Sequence, residues 1–381
     1  MRILHVFPVN EVGGAEYVSL NLIRHRQDDR FEHHAVVLAP QAGSLGAALT
    51  AARVPWTHVT RGRMRDPLAL LRVRRGLRQV VRTTAPDWLL ANSPQGFLYA
   101  RLAVPFGPPW VGLYYMTVPE PRLLSNPALD VLMALARPSL TFTASHRIAA
   151  TLSAWGLPHV EPVHHGTTPP VSDSGLRAAR DRLLEDHAVP PNAPIVLLPG
   201  RLQQWKGQHV LVGAMPAILA RVPDAHAVLL GGALFGMEPA YRSELIEQAK
   251  RMGISERVHV VGHQPVAAWL ERAAVVVHAS ITPDPFPNVC IEALAARRPL
   301  VTTEASGVCE IVENHVHALI VPPADPATLA GAVVSILCNP ALGEQLATAG
   351  LARYRTRATA DLMATRIEGA LRAFDTERGA A

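Results

Sequence analysis

The sequence predicts an α/β protein built as two doubly wound, Rossmann-like parallel-sheet domains. Three observations predict it. Short apolar runs alternate with helical patterns of roughly ten to fifteen residues along the chain, which is how parallel strands joined by crossover helices read. Two of those runs, Arg2–Phe7 and Ile195–Leu198, lie near the start of each half and end in glycine-bearing turns that open a helix. The 381 residues also suffice for two full cores rather than one.

In the first half, Arg2–Phe7 is a strand and the turn after it leads into a helix running to about His25. Gly13 and Gly14 in that turn let backbone N–H groups approach a ligand closely, although a tight turn without a ligand explains a bare glycine pair equally well. GxGxxG is missing, and no acid follows the second strand, His34–Ala39, which disfavours NAD-dependent hydride transfer. The alternation continues through Trp56–Thr60, Leu68–Val81, Asp87–Ala91, Pro94–Val104, Trp110–Tyr115, Asn126–Ala136, Ser139–Ala144 and His146–Trp155. Arg61 to Arg82 holds eight Arg against one Asp, with Leu70, Val73, Leu77 and Val80 at helical spacing. That face suits an anionic membrane or a lipid-linked or polyphosphate acceptor, and equally a solvated surface written in arginine. Pro169, Pro170, Ser172, Asp173 and Ser174 have the composition of a linker.

The second half restarts with Ile195–Leu198, followed by the turn Pro199 to Gly207 and a helix from Gln208. Ala227–Gly231, Arg257–Gly262, Val275–His278 and Ala318–Val321 are further strands, and helices start at Pro326, Ala341 and Ala358. Between them lies Thr282 to Val312. Its Pro-broken loop, Pro283-Asp284-Pro285-Phe286-Pro287, can neither continue a helix nor sit inside a sheet. From Asn288, a good N-cap residue, a run apolar on nearly every face predicts a buried helix. Glu292 lies about one turn inside it and needs donors, from a nearby Arg, a backbone amide or a pair of ligand hydroxyls. An acid in the loop, an anion-binding helix start and an acid on the helix suit a sugar joined to a phosphate and a ribose.

Asp284-Pro-Phe-Pro-Asn-Val-x-x-Glu292-Ala-Leu-Ala, followed by Pro299–Thr303 and Gly307-x-x-Glu310-Ile-Val, resembles the donor-site signature of family 4 glycosyltransferases. That signature has two Glu separated by seven residues; Asp284 takes the first place and Glu292 the second. Gly200-Arg201-Leu-x-x-x-Lys206-Gly207 resembles the diphosphate clamp of the same family. The resemblance implies the GT-B fold, with the two domains facing across a cleft. Residues 1–168 would form the acceptor side, 171–357 the nucleotide-sugar side, and the helix in 358–381 would return to the first. It further implies retaining transfer of a hexosyl group from a nucleotide diphosphate sugar, UDP foremost, to a saccharide, lipid-linked or small-molecule hydroxyl acceptor.

The resemblance also distributes roles. Arg201, a planar fork, and Lys206, a compact charge, would stabilise the departing diphosphate. Glu292 would accept from the ribose diol. Asp284 and the amides of Phe286, Pro287 and Asn288's loop would hold sugar and phosphate, the backbone around Gly200 and His263 phosphate and base, and Gly13 and Gly14 would close from the other side. Where the family often places a His, Tyr115 stands closest; His165 stands where the interdomain crossing has an Asn. Family members lack a clear protein nucleophile, and the departing phosphate is thought to take the acceptor's proton. No Asp-x-Asp pair is present to carry a metal, so neither metal nor cofactor is expected, nor nucleic acid as a partner. A nucleotide-sugar epimerase of the same architecture and a non-catalytic nucleotide-sugar binder are the rival readings.

Composition bounds these expectations. Charged residues are 18% and hydrophobic ones 49%, too apolar a balance for disorder. No uninterrupted apolar run reaches the roughly 18 residues of a membrane span, and the N-terminus is too short for a secretory core, so cytoplasmic residence is the expectation. Cys290, Cys309 and Cys338 form no CxxC pair and indicate neither disulfides nor zinc. Residues 1–165 carry a net +7 and the rest −2, within a formal total of +5. Only Lys206 and Lys250 among the 36 basic residues are lysine, and only Lys206 falls in a motif.

Overall fold

A computed structural model describes residues 1–41, 43–62, 66–105, 110–115, 137–170, 173–232 and 240–379. The chain divides into two compact units, Met1–Gly166 with Thr359–Ala381, and Thr167–Ala358.

Among the described residues, the first unit has a seven-stranded parallel sheet in the order β3-β2-β1-β4-β5-β6-β7. The strands are β1 Arg2–Phe7, β2 Glu32–Ala39, β3 Trp56–Thr60, β4 Trp88–Ala91, β5 Trp110–Tyr115, β6 Leu140–Thr143 and β7 Val160–Pro162. β1 is an interior strand, with Ile3 opposite His33 on one side and Trp88 on the other. Apolar side chains on both faces of β1 and β4 follow from helices covering both faces of a parallel sheet. Helix starts are set by side-chain caps: Asp66 before Pro67–Thr84, Ser93 before Pro94–Ala103 and Ser145 before His146–Ala154. The C-terminal helix Ala360–Gly379 belongs to this unit's core, where Met363, Ile367, Leu371 and Phe374 pack with Phe31, Trp88 and Phe142.

The second unit's described sheet is six-stranded and parallel, in the order β10-β9-β8-β11-β12-β13. Its strands are β8 Ile195–Pro199, β9 His226–Leu230, β10 Val258–Gly262, β11 Ala273–His278, β12 Leu300–Thr303 and β13 Leu319–Val321. Chain direction across each sheet reverses once, between β1 and β4 in the first and between β8 and β11 in the second. Ligands of such sheets sit beyond the carboxyl ends of the strands at these reversals.

Several local expectations are corrected. The segment read as linker already starts the helix Ser174–Asp186, because Asp173 caps it by accepting from Leu176 N–H. The last two helices begin at Pro340 and Ala360, not Ala341 and Ala358. The edge strand β7 and the helix Ser44–Ala51 are additional. The expected helix Asn126–Ala136 lies outside the described residues. In Pro67–Thr84 the buried stripe is Ala69, Val73, Leu77 and Val80, with Leu70 only half-buried. Arg74 and Arg78 donate to the carbonyls of Leu102 and Ala103 and lie against the neighbouring helix, while Arg72, Arg75 and Arg82 are exposed together with Leu68 and Leu71. No single helix among the described residues is long and apolar enough to cross a membrane.

Candidate active site

The turn after β8 is fixed from several sides. Gly200 N–H donates to Leu230 O and Leu202 N–H to Gly232 O, tying the turn to the end of β9. Buried Gln208 donates through Nε2 to Arg201 O at 2.8 Å. Gly207 has φ +73°, and a Cβ there would lie 1.9 Å from Ala279 O, so only glycine brings this helix start so close to the end of β11. Ile281 N–H donates to Trp205 O and joins the turn after β8 to the turn after β11. Arg201 is half-buried, and no described side chain pairs with its guanidinium.

Lys206 and Asp284 meet here. Lys206 Nζ lies 2.5 Å from Asp284 Oδ2 and 4.2 Å from the centre of the Trp205 ring. The same carboxylate oxygen accepts from His278 Nε2 at 2.9 Å and Ser280 Oγ at 3.0 Å. Asp284, His278 and Ser280 are all buried. Burial alone would raise the Asp284 carboxyl, but the Lys206 charge and the His278 bond override it and hold the group well below its ordinary value. An ionised Asp284 requires the proton of His278 on Nε2, so its Nδ1 accepts from the Thr302 hydroxyl at 3.0 Å. Burial, against the pull of Asp284, keeps this imidazole below its usual value and hence neutral. The backbone of Asp284 is pinned too: its N–H donates to Ala305 O, and its carbonyl accepts from Gly307 N–H. A Cβ on Gly307 would stand 1.6 Å from Pro285 O. Lys206, expected as a waiting cation, is therefore already paired with the acid expected to hold a sugar.

The helix Asn288–Ala295 follows. Asn288 is its first residue rather than its cap; Pro287, with extended ψ 121°, takes the cap position and offers no side-chain acceptor. A helix start without a side-chain cap suits an anion. Phe286 and Pro287 are buried and Asn288 half-buried. Glu292 is half-buried, and no described side chain or amide donates to its carboxylate, so neither purely structural partner considered for it is present among the described residues. Burial pushes its carboxyl up to about 7.

His263 is exposed just beyond Gly262, which has φ +74° and accepts from Gly231 N–H. Gly200, Arg201, Lys206, His263, Asp284, Phe286, Pro287, Asn288 and Glu292 thus lie at or after the carboxyl ends of β8, β10 and β11. Gly13 and Gly14 lie after β1, at the reversal of the first unit's own sheet. The Gly13 N–H, expected to face a ligand, instead donates to Glu16 Oε2, and Glu16 accepts from Asn92 through its other oxygen. Tyr115's side chain lies outside the described residues. Sequence reasoning missed His278, Ser280 and Thr302. The available signal was two polar residues, His278 and Ser280, at the mouth of an otherwise apolar strand, where burial demands partners.

Residues 179–353, a little under half of the chain and all within the second unit, match the model of the family Glycosyl transferases group 1. A D-inositol 3-phosphate glycosyltransferase of Jonesia denitrificans is 30% identical over 203 residues, 52% of this chain and 46% of that one. A glycogen synthase of Mycobacterium tuberculosis is 34% identical over 176 residues, 45% and 40% of the two chains. The chain thus spans less than half the length of these curated relatives. Among solved structures, Anabaena HepE in complex with UDP-glucose has a TM-score of 0.83 at 24% identity, covering 98% of this chain and all of that one. Sucrose-phosphate synthase from Thermosynechococcus elongatus gives 0.79 at 17%, covering 99% and 100%. These likenesses establish the fold, the two Rossmann-like domains of GT-B glycosyltransferases.

Proposed function

We propose that the protein is a metal-independent, retaining glycosyltransferase of family 4 that moves a hexosyl group from a nucleotide diphosphate sugar, UDP foremost, to a hydroxyl acceptor. The observation that carries this is the grouping around the β8/β11 reversal: Arg201 and Glu292, neither with a side-chain partner among the described residues, the Lys206–Asp284 pair, and a helix start with proline at its cap position. Glu292 accepts from the ribose diol. Arg201 and the remaining N–H bonds of Lys206 face the diphosphate. The bond from the sugar's anomeric carbon to the phosphate oxygen breaks, and its electron pair stays on the diphosphate, where the two cations oppose the added charge. The acceptor oxygen bonds the anomeric carbon on the same face, and its proton passes to the departing phosphate. Residues 1–168 serve the acceptor and 171–357 the donor. The exposed Arg72, Arg75 and Arg82, with Leu68 and Leu71, give the first domain a face for peripheral contact with an anionic membrane that carries the acceptor. The chain then works on the cytoplasmic side.

The test is a thermal-shift panel of nucleotides and nucleotide sugars, followed by release of UDP from UDP-glucose and its relatives with and without hydroxyl acceptors. Stabilisation by UDP and UDP release that Arg201→Ala abolishes are expected. Isomerised sugar from donor alone would instead make the protein an epimerase, an activity named for a putative Listeria monocytogenes UDP-N-acetylglucosamine 2-epimerase of similar fold, TM-score 0.68. Binding of UDP-sugars without release of UDP under any condition would leave a non-catalytic binder.

A further inference from the structure

Three donors converge on one oxygen, Asp284 Oδ2: Lys206 Nζ, His278 Nε2 and Ser280 Oγ. They are not equivalent. Lys206 sits at the end of a long side chain on a one-turn helix, Gln204–Lys206, and Ser280 has a rotating hydroxyl that also meets His278 Nε2 at 2.9 Å. His278 is the last residue of β11, in register with Thr302 of β12, whose hydroxyl holds the far side of the ring. A ring anchored at both ends on a sheet is the rigid member of the group, and Asp284, on a proline-broken loop, is the one that needs rigid support.

We propose that His278 is a positioning residue: its Nε2–H fixes the Asp284 carboxylate, which fixes the Lys206 ammonium. The three form a chain from the sheet outward, Thr302 to His278 to Asp284 to Lys206, and each link is a short contact between buried or mostly buried groups. A side chain locked by its own second bond holds a reacting group within the narrow tolerance that catalysis requires. The imidazole is suited to this because it reaches in two directions at once, accepting at Nδ1 and donating at Nε2. That the ammonium so held serves a departing diphosphate rests on the function proposed above; the holding itself does not.

Two variants separate the ring's two ends. His278→Gln keeps an N–H at the position of Nε2, whereas His278→Asn reaches only to the position of Nδ1, so it keeps a polar group beside Thr302 and loses Asp284. Because the chain has two lysines, and Lys250 is exposed, acylation by a succinimidyl acetate followed by peptide mass spectrometry reads Lys206 against an internal standard. In the wild type Lys206 is expected to react about tenfold more slowly than Lys250. His278→Asn should bring the two rates to within about threefold, and His278→Gln should leave the gap. Turnover of UDP-glucose should fall about 10- to 100-fold in kcat for His278→Asn with KM changed less than threefold, and Gln should restore most of it. The double variant His278→Asn with Asp284→Asn should be no worse than Asp284→Asn alone. Equal Lys206 protection in the Asn variant and the wild type, in proteins with matched melting temperatures, overturns the proposal, as does a double variant whose losses multiply. A wild type that neither binds UDP nor releases it from any donor overturns the proposed function instead, and the acylation result still decides the role of His278.

Discussion

Lys206 Nζ rests 2.5 Å from Asp284 Oδ2 across 78 residues of sequence, and through that contact the turn after β8 and the turn after β11 share one buried charge pair. The pair explains how a cation is kept in place before any ligand arrives. It also changes what removal of either partner does, since a single buried charge left behind is strongly destabilising.

Arg201→Ala and Lys206→Ala should therefore part company. Both lose transfer and donor hydrolysis, each by about 2–4 kcal/mol of barrier. Arg201→Ala leaves the melting temperature nearly unchanged, because no described group depends on its guanidinium. Lys206→Ala leaves buried Asp284 with its His278 and Ser280 bonds but no countercharge and should destabilise the fold by about 3 kcal/mol, and adding Asp284→Ala should restore part of that stability without restoring turnover. Denaturant melts and UDP-release assays on the four proteins check this. Equal stability of the two single variants would contradict it.

Glu292 adds a pH dependence with a definite sign. Burial raises its carboxyl to about 7, so the folded protein prefers the protonated form and loses stability as pH rises from about 4.5 through 7. In the proposed role of Glu292, ribose hydroxyls would donate to the ionised form, so nucleotide binding should strengthen over the same window and release a fraction of a proton at about pH 6.5. Calorimetry with UDP in buffers of different ionisation enthalpy measures that proton. Glu292→Gln should bind more weakly above pH 7 and show no proton release.

Much of this was legible in the chain, for physical reasons. Parallel strands buried on both faces give near-continuous apolar runs, which is why β1, β4 and β8 fall within a residue of their expected positions. The motifs around Gly207 and Gly307 were legible because glycine there answers to steric demands that no other residue meets. Partnerships were not legible. Nothing in the spacing of Lys206, Asp284 and His278 tells that a carboxylate one methylene shorter than Glu turns inward to pair with lysine. Likewise, Gly13 reads as a ligand-facing amide until Glu16, three residues on, is seen to accept from it. Asn288 reads as a cap, but the proline before it already has the extended backbone that a cap position uses.

The arginine face of Pro67–Thr84 tests the proposed contact with an anionic membrane. Arg72, Arg75 and Arg82 point away from the core, Leu68 is 65% exposed, and the helix contains no acid. Cosedimentation with vesicles containing about a third phosphatidylglycerol should capture the protein at low salt, and neutral vesicles should not. Reversing the three arginines to glutamate should abolish capture, each charge contributing about 1 kcal/mol near such a surface. Unchanged capture after reversal would return this face to the status of a solvated one.

A different buried pair contributes to the acid stability of the first unit. His5 Nε2 and His33 Nδ1 lie 2.9 Å apart on a diagonal across β1 and β2, where Ile3 is the residue opposite His33, with rings stacked at 5.1 Å. Burial, and then each other's or neighbouring charge, pushes both imidazoles down, His33 to about 4. The folded state thus resists a proton that the unfolded chain accepts at about 6.5. Stability is complete above pH 6.5 and declines as pH falls toward 4, by about 3 kcal/mol for His33 over that window. His33→Gln cannot titrate and should flatten this decline by about one proton's worth, although its stability at pH 7.5 falls somewhat through lost packing. Urea melts at pH 7.5, 6 and 4.5 on both proteins measure the difference in slope. Parallel slopes would mean that His33 takes its proton in the folded state as readily as in the unfolded one.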